Sequence, residues 1–390
     1  MERSLRDWLS FPDELNALLA FVRADGNSPH PPTARGAFRD IDWNRFLELA
    51  MHHRVYPELH ARWRDNEKIP VDVRQTLKRA YEQNVFSMLR LCAELERICR
   101  SLAGHRVRAL VLKGPVLARE LYGDISRRTS KDLDILIPLA DVEKAERLFT
   151  EELGYRSGKN VPRIFRDWKW KVHHLTFVHP QTGIQVEIHW RLNAGMGKEP
   201  SFEELWQRKR ACALSRVPVW MPGKEDLFFY LVAHGARHGW FRLRWLVDID
   251  RLVRQGPDWT ALIGLLRRNG AVHLGGQALA LASRLLHTPV PDMMRPYVNG
   301  RRPQRLARRS LWFVLNGVAF ASHPRPPELE RTYKRYLFSL KNGREKGLFL
   351  IRQLYPSFRD AEAVPLPKEL RFLYFPLRPF IWLWRQIKAQ

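Results

Sequence analysis

The spacing of apolar residues divides the chain into helical segments on either side of one stretch with strand character. Apolar residues recur every three or four positions over residues 1–24, from residue 42 onward and over residues 71–102, which predicts amphipathic helices. Residues 291–390 are basic, aromatic and interrupted by prolines, and they show no clear period. Helical periods follow the strand-like stretch in five further segments: 202–212, 224–240, 243–255, 259–269 and 273–287.

The stretch between residues 105 and 192 predicts a β-α-β-α-β-β unit. The apolar run in HRVRALVLKG ends in Gly114, and Pro115 is well suited to the first position of the helix that follows. DLDILIP is the second strand, and the amphipathic segment after it is the second helix. HHLTFVHPQTGIQVEIHWRL predicts a hairpin around a Pro-Gln-Thr-Gly turn.

Acidic residues interrupt two of these strands. Because successive side chains of a strand point to opposite faces, Asp132 and Asp134 share one face, and Glu187 and His189 share one face of the last strand. Carboxylates in such apolar strands need a cationic partner. Three converging carboxylates provide the oxygen ligands that Mg²⁺ or Mn²⁺ takes, so Asp132, Asp134 and Glu187 are the predicted metal ligands.

Two other interpretations of the aspartates stay open. Asp132 alternatively caps the local backbone or forms an ion pair with Arg127 or Lys131, and a D-x-D strand also occurs in metal-dependent glycosyltransferases. Converging acids repel one another, so the metal hypothesis expects Asp134→Asn to fold at least as well as the wild type. If the aspartate instead forms a structural ion pair, the same substitution should destabilise the fold. His189 is a candidate base, with a structural hydrogen-bonding role as its alternative.

The turn LKGP predicts a phosphate site beside these acids. A strand that ends in glycine and leads into a helix N-terminus lets backbone N–H groups approach a triphosphate. Lys113 then adds a point charge and Arg128 a planar fork of donors to the same phosphates, with Gly114 at the turn.

These motifs together resemble a known group of enzymes. A strand–glycine–helix turn, a D-x-D strand and a later strand with one more acid resemble the nucleotidyltransferase superfold of polymerase β-like enzymes and aminoglycoside nucleotidyltransferases. More narrowly, VLKGPVLARELYG, RRTSKDLDILIP, VEIHW and LRWLVDIDRLV are similar to the bacterial family of uncharacterised nucleotidyltransferases, over roughly residues 42–290. The resemblance implies an α/β (α+β) fold, in which a core with a small mixed sheet is flanked by N-terminal and C-terminal helical regions.

The resemblance also implies an activity and a set of roles. The expected reaction is transfer of a nucleoside monophosphate from a nucleoside triphosphate, with ATP as the first candidate, to the hydroxyl of an unknown acceptor. Asp132 and Asp134 become the metal-binding pair, Glu187 the third acid and Gly114 the glycine of the phosphate turn. Arg244, near Asp248 in LRWLVDID, would bind the nucleotide or orient the acceptor. The alternative for Arg244 is a buried helix seam in which it pairs with Asp248.

Chain length and charge add an expected domain division and an expected partner. We expect an N-terminal helical region (1–102), a nucleotidyltransferase core (103–200), a helical domain covering the site (201–290) and a basic, aromatic C-terminal region (291–390). The formal net charge is +25, and residues 291–390 hold 20 Lys and Arg against 7 Asp and Glu. This region is predicted to contact an anionic membrane or nucleic acid, although its aromatic residues would also fit a groove of the same chain.

The remaining expectations concern location and a rival function. The first residues lack a signal-peptide pattern and no apolar run is long enough to span a bilayer, so we expect a cytoplasmic protein, peripheral at the inner membrane face. The rival function is that of a catalytically inactive nucleotidyltransferase fold that binds nucleic acid or an anionic membrane.

Overall fold

The computed structural model describes residues 11–23, 41–158, 168–193, 197–317, 325–356 and 358–388. The first ten residues of the first predicted helix lie outside this part of the chain. Four helices precede the sheet, and they follow the predicted apolar period: α1 (Asp13–Arg23), α2 (Trp43–His53), α3 (Tyr56–Trp63) and α4 (Val71–Gly104).

A five-stranded mixed sheet follows, with the strand order β1-β2-β5-β4-β3. Strand β2 pairs in parallel with β5, and the other neighbouring pairs are antiparallel. The predicted β-α-β-α-β-β unit is confirmed, and the structure adds the short edge strand β3. The strands are β1 (Leu110–Val111), β2 (Asp132–Leu136), β3 (Arg156–Ser157), β4 (His174–Val178) and β5 (Gln185–His189).

Two helices connect the strands of the first half of this sheet. Helix α5 (Pro115–Tyr122) lies between β1 and β2, with the predicted proline at its first position. Helix α6 (Val142–Arg147) follows β2 and continues as a π-helical turn to Glu152. A short helix, α7 (Trp168–Lys171), leads into β4.

The register of the sheet brings the acids of two strands side by side. In the parallel pair, Asp134 lies beside Glu187, and in the antiparallel pair His174 lies beside His189. The opposite face of these strands is apolar and buried, with Leu133, Ile188 and other aliphatic residues in the core. The alternation of the sequence therefore produces one polar face, which forms the floor of the candidate site.

The predicted helix over 202–212 is only half correct. Helix α8 (Phe202–Gln207) begins with a capping box formed by Ser201 and Glu204. The chain then forms β6 (Arg210–Cys212), which pairs with β7 (Val219–Met221) in a separate two-stranded sheet. Cys212, Val219 and Met221 of this hairpin are buried. Strands of three residues are too short to show an alternating pattern within a segment that otherwise has a helical period.

Helices follow the small hairpin to the end of the described chain. The four predicted helices that follow the hairpin are confirmed to within three residues at each end: α9 (Lys224–Arg237), α10 (Leu243–Arg254), α11 (Trp259–Arg268) and α12 (Val272–Leu286). The C-terminal helices are α13 (Arg295–Val298), α14 (Arg301–Leu315), α15 (Pro327–Leu340), α16 (Gly343–Leu354), α17 (Phe358–Ala363) and α18 (Tyr374–Lys388).

One hydrophobic cluster connects the N-terminal helices, the sheet and the helices up to α15. The four-part domain division stays a prediction. Among the described residues, no helix is both long enough and apolar enough to cross a membrane.

The glycine turn between β1 and α5 has a backbone conformation that only glycine adopts readily. Gly114 has φ of 83° and ψ of −147°, and a Cβ atom there would lie 3.2 Å from a methyl carbon of Leu133. We expect Gly114→Ala to lower the free energy of unfolding by about 1–3 kcal/mol, measured by chemical denaturation. Gly104→Ala is the matched control, because a Cβ atom at the end of α4 meets nothing within 4 Å. A Gly114→Ala protein as stable as this control would contradict the conclusion that the turn requires glycine at position 114.

Candidate active site

Asp134 lies at the centre of the polar face, with 1% of its surface exposed. The ammonium of Lys113 lies 3.1 Å from its Oδ2 atom, and Nε2 of His189 lies 3.1 Å from its Oδ1 atom. The same His189 nitrogen is 3.3 Å from Oε2 of Glu187. In the protein as it stands, the positive charge held by Asp134 is therefore Lys113, with His189 as a second partner.

At this cluster, attraction between opposite charges counteracts the effect of burial on the pKa values. Burial favours the neutral form of Lys113, but the attractions of Asp134, Tyr230 and Asp132 together outweigh burial and raise the pKa of this amine above its ordinary value. Burial likewise favours a neutral Asp134, yet Lys113 and His189 lower the pKa of its carboxyl well below the usual range. The three side chains therefore form a charged, hydrogen-bonded unit beneath the cavity.

Asp132 differs from Asp134, although both lie on the same face. It is half-buried, and among the described residues its carboxylate forms no ion pair with Arg127, Lys131 or another cation within 4 Å. Burial and the repulsion of Asp134 raise the pKa of Asp132. Its carboxylate lines the cavity. Asp132 thus has no cationic partner of its own in the described part of the chain.

The acidic and histidine side chains that lie together fit a divalent cation, but they are not the same three residues that the sequence predicted. Ligand atoms of Asp134, Glu187 and His189 lie within 4.8 Å of one another, so an imidazole joins the two carboxylates. Carboxylates suit Mg²⁺, and the imidazole makes Mn²⁺ or another transition ion an equally good fit. The histidines at 173, 174 and 189 form a second such group. Metal binding by Asp132 stays a prediction.

Arg128 has a partner that its sequence context did not indicate. Its Nε and Nη2 atoms donate to the two oxygens of Asp248, each at 2.9 Å, and both residues are buried. The Tyr122 hydroxyl donates to the same carboxylate at 2.9 Å. This bidentate pair fixes α10 to the segment before β2. Arg128 also lines the cavity, and its contact with phosphate stays a prediction.

Arg244 is a buried cation that faces the cavity, and it forms no ion pair with a carboxylate of the described residues. Its guanidinium donates to the backbone carbonyl and to the hydroxyl of Thr129, the latter at 2.7 Å. The Nε atom is buried without a hydrogen-bond partner in the described part of the chain. Burial, followed by repulsion from Arg128 and Arg54, lowers the pKa of Arg244 to about 9. The alternative in which Arg244 pairs with Asp248 is wrong, because Arg128 is the residue bonded to Asp248.

Further cations reach the site from segments that the sequence did not mark as functional. Arg54 ends α2 in the left-handed conformation with φ of 57°. Arg242 follows the turn after α9, and Lys131 precedes β2. Burial and repulsion from Arg242 lower the pKa of Arg54 to about 10, and burial and repulsion from Arg244 lower the pKa of Arg242 to about 10. No pattern in the sequence brings Arg54 to the site, because only the packing of α2 places it there.

The cavity above these residues has a volume of about 410 Å³, and one end of it is aromatic. The imidazoles of His234 and His238 lie 5.5 and 5.3 Å from the ring of Trp245, measured between centroids. Burial lowers the pKa of both histidines well below the ordinary value, so their imidazoles are neutral. Tyr230 and Phe241 complete this end of the cavity. Acids, cations and aromatic rings thus share one enclosure.

A mixed sheet with adjacent acids, a glycine turn and covering helices defines a nucleotidyltransferase-like fold. The family model described as "Uncharacterised nucleotidyltransferase" matches residues 39–287, and the chain belongs to that family. This membership identifies it as a transferase of phosphorus-containing groups. No curated protein and no solved structure is significantly similar to the chain.

The two aspartates are expected to respond oppositely to amidation. Asp134→Asn leaves the buried ammonium of Lys113 without its counter-charge, which should destabilise the fold by up to about 3–5 kcal/mol. Asp132→Asn removes a carboxylate that is repelled by Asp134, so the free energy of unfolding should stay the same or rise. The expectation from sequence that Asp134→Asn would be harmless is thereby replaced.

Chemical denaturation of both variants at neutral pH, without added metal, measures this difference. The double variant Lys113→Met with Asp134→Asn should recover part of the stability that Asp134→Asn loses, because no buried charge is then left unpaired. If Asp132→Asn and Asp134→Asn are equally stable, the ion pair between Lys113 and Asp134 does not stabilise the fold as described.

Proposed function

We propose that the protein transfers a nucleoside monophosphate from a nucleoside triphosphate, with ATP as the first candidate, to an acceptor hydroxyl, and that the transfer depends on Mg²⁺ or Mn²⁺. The observation that carries the proposal is the donor group of Asp134, Glu187 and His189 beside cations without carboxylate partners in one cavity. Such a combination suits a polyphosphate bound through a divalent ion.

The chain's own residues suggest how the nucleotide lies. The aromatic end of the cavity, with Trp245 and Phe241, suits a nucleobase, and Arg244 suits phosphate oxygens because its buried guanidinium has an unused donor. Lys113 pairs with Asp134 and also lines the cavity, so its ammonium can exchange the carboxylate for a phosphate once a metal neutralises the acids. These placements follow from charge and shape.

The proposed reaction is a displacement at the α-phosphorus. The acceptor oxygen forms a new bond to this phosphorus, and the bond to the bridging oxygen breaks, so pyrophosphate leaves with the electron pair. The hydroxyl proton passes to a carboxylate oxygen of Asp132, which lines the cavity and forms no ion pair with a described cation. A bound divalent ion would supply neutralisation of the triphosphate charge. Positioning and charge stabilisation by the fixed cations supply the remaining rate enhancement.

Nucleotide binding tests this proposal before any acceptor is known. Mg²⁺ or Mn²⁺ with ATP should raise the melting temperature of the wild type, because a ligand that binds only the folded state stabilises it. Glu187→Gln should lose this increase and lose labelling of lysate components by radioactive triphosphates. Glu151→Gln, an exposed acid away from the site, is the control. A wild type that gains no stability from any triphosphate with either metal would contradict the proposal.

The rival function is a catalytically inactive fold that uses the same cations to bind nucleic acid. It predicts that wild type and Glu187→Gln bind RNA or DNA equally well and that no triphosphate labels any acceptor. The donor group is the reason to favour catalysis, because a nucleic-acid binder has no use for buried acids at a cationic surface.

We further propose that the C-terminal region rests on an anionic membrane surface through α18. This helix turns Arg378 and Arg385 inward, where both donate to the buried Asp360 at 2.7 and 3.1 Å. Its outer face exposes aromatic and aliphatic side chains, including Phe380 and Trp382. Interfacial aromatic side chains in a region with a net charge of +13 suit anionic lipid headgroups.

Sedimentation with lipid vesicles tests this surface. The wild type should pellet with phosphatidylserine-containing vesicles at low salt, and much less with neutral vesicles. The double variant Phe380→Ser with Trp382→Ser should lose most of this binding, whereas Phe86→Ser, an equally exposed phenylalanine on α4, should not. Preferential binding to RNA that the double variant retains would assign the basic region to nucleic acid instead.

A further inference from the structure

A second cavity adjoins the candidate active site and has no role in the proposed nucleotide placement. It has a volume of about 420 Å³ and lies between the turn after α2, the side of α4 and the segment before β2. Its lining is mostly polar, with Gln83, Asn84 and Ser87 from α4 and Tyr56 from α3. A cavity of this size and character holds a small polar molecule.

The two cavities share one wall, and that wall is cationic. Arg54, Lys131 and Arg242 line both cavities, together with Ser130. Arg54 and Arg242 form no ion pair within 4 Å among the described residues, and Nε of Arg242 is buried without a hydrogen-bond partner there. Among the acids of the cavity lining, Asp132 is the one that attracts all three cations electrostatically. A ligand in the second cavity would therefore reach the acids of the first cavity past this wall.

The positive charges of the site exceed what a nucleotide together with its divalent ion can neutralise. Seven cationic side chains and three carboxylates line the first cavity, and Asp248 neutralises one of those cations. Three positive charges remain in excess. A nucleoside triphosphate brings about four negative charges and each divalent ion about two positive ones. The loaded site thus keeps about one positive charge with one ion and about three with two ions, which favours an anionic acceptor over a neutral one.

We propose that the acceptor is a phosphorylated sugar or polyol that binds in the second cavity, with its phosphate held by Arg54, Lys131 and Arg242. The hydroxyl and amide side chains of α4 match the hydroxyl groups of such a compound, and another hydroxyl of the same molecule faces the nucleotide across the wall. The inference rests on the proposed nucleotidyl transfer. It adds the substrate class and places the acceptor on the opposite side of the wall from the aromatic end of the first cavity.

Calorimetric titration of the nucleotide-loaded protein tests the acceptor class. The wild type, saturated with Mg²⁺ and α,β-methylene-ATP, is titrated with glucose 6-phosphate, with inorganic phosphate and with glucose. We expect the two phosphate compounds to bind and glucose not to bind. Arg54→Gln should weaken glucose 6-phosphate by about tenfold or more, the loss expected for one charged hydrogen bond. Its affinity for α,β-methylene-ATP should fall by a clearly smaller factor, because Arg54 also adds to the positive potential of the first cavity.

Matched variants exclude effects of surface charge and of folding. Ser87→Trp fills the second cavity from the exposed side of α4 and should abolish binding of glucose 6-phosphate while nucleotide binding persists. Phe86→Trp and Arg79→Gln, exposed on the same helix, should bind all ligands as the wild type does.

Two results would overturn the assignment while the proposed function stands. One is a loaded wild type that binds neither phosphate compound, and the other is an Arg54→Gln protein that loses nucleotide affinity by the same factor, because the wall then holds the triphosphate. A wild type that binds no nucleotide would instead refute the proposed function itself, and the acceptor assignment with it.

Discussion

The buried pairing of Asp134 with Lys113 and His189 is the constraint on which the site depends. It connects the end of β1, the middle of β2 and the end of β5, so it fixes the three strands that carry the candidate chemistry. A carboxylate this deeply buried is stable only with a cationic partner, and here the partner belongs to the same chain. Under the proposed function, this arrangement would keep the acids charged and oriented for a metal ion, which is the preorganisation that transfer chemistry uses.

The second important feature of the site is its excess of cations, which favours anionic ligands. The cations around the cavity exceed the acids, and two of them, Arg244 and Arg242, have buried donor atoms without described partners. Crowded positive charges raise the free energy of the empty protein and are stabilised when an anion binds. Binding of polyphosphate is therefore coupled to relief of repulsion. The Arg128–Asp248 pair differs, because it is internally satisfied and serves to hold α10 over the sheet.

Much of the fold follows from local patterns, whereas the site is only partly visible in them. The strand alternation places Asp134 and Glu187 on one face, and Gly114 and Pro115 mark the turn, because these features depend on neighbours in sequence. The partner of Arg128 lies 120 residues away, and no spacing rule identifies it. Arg54 reaches the cavity only because α2 packs against α3 and α4, which no local pattern in the sequence indicates. The hairpin of β6 and β7 was not predicted from the sequence, because its strands have only three residues each.

The central claim is that the cluster of Asp134, Glu187 and His189 exchanges its internal cation for a divalent ion and a triphosphate. Crystals grown with Mn²⁺ and α,β-methylene-ATP, and measured at the manganese absorption edge, test it most directly. The account predicts an anomalous peak bonded to Asp134 and Glu187, with the Lys113 ammonium moved from the carboxylate onto phosphate. Nucleotide bound without manganese at these residues, with Lys113 still paired to Asp134, would contradict it.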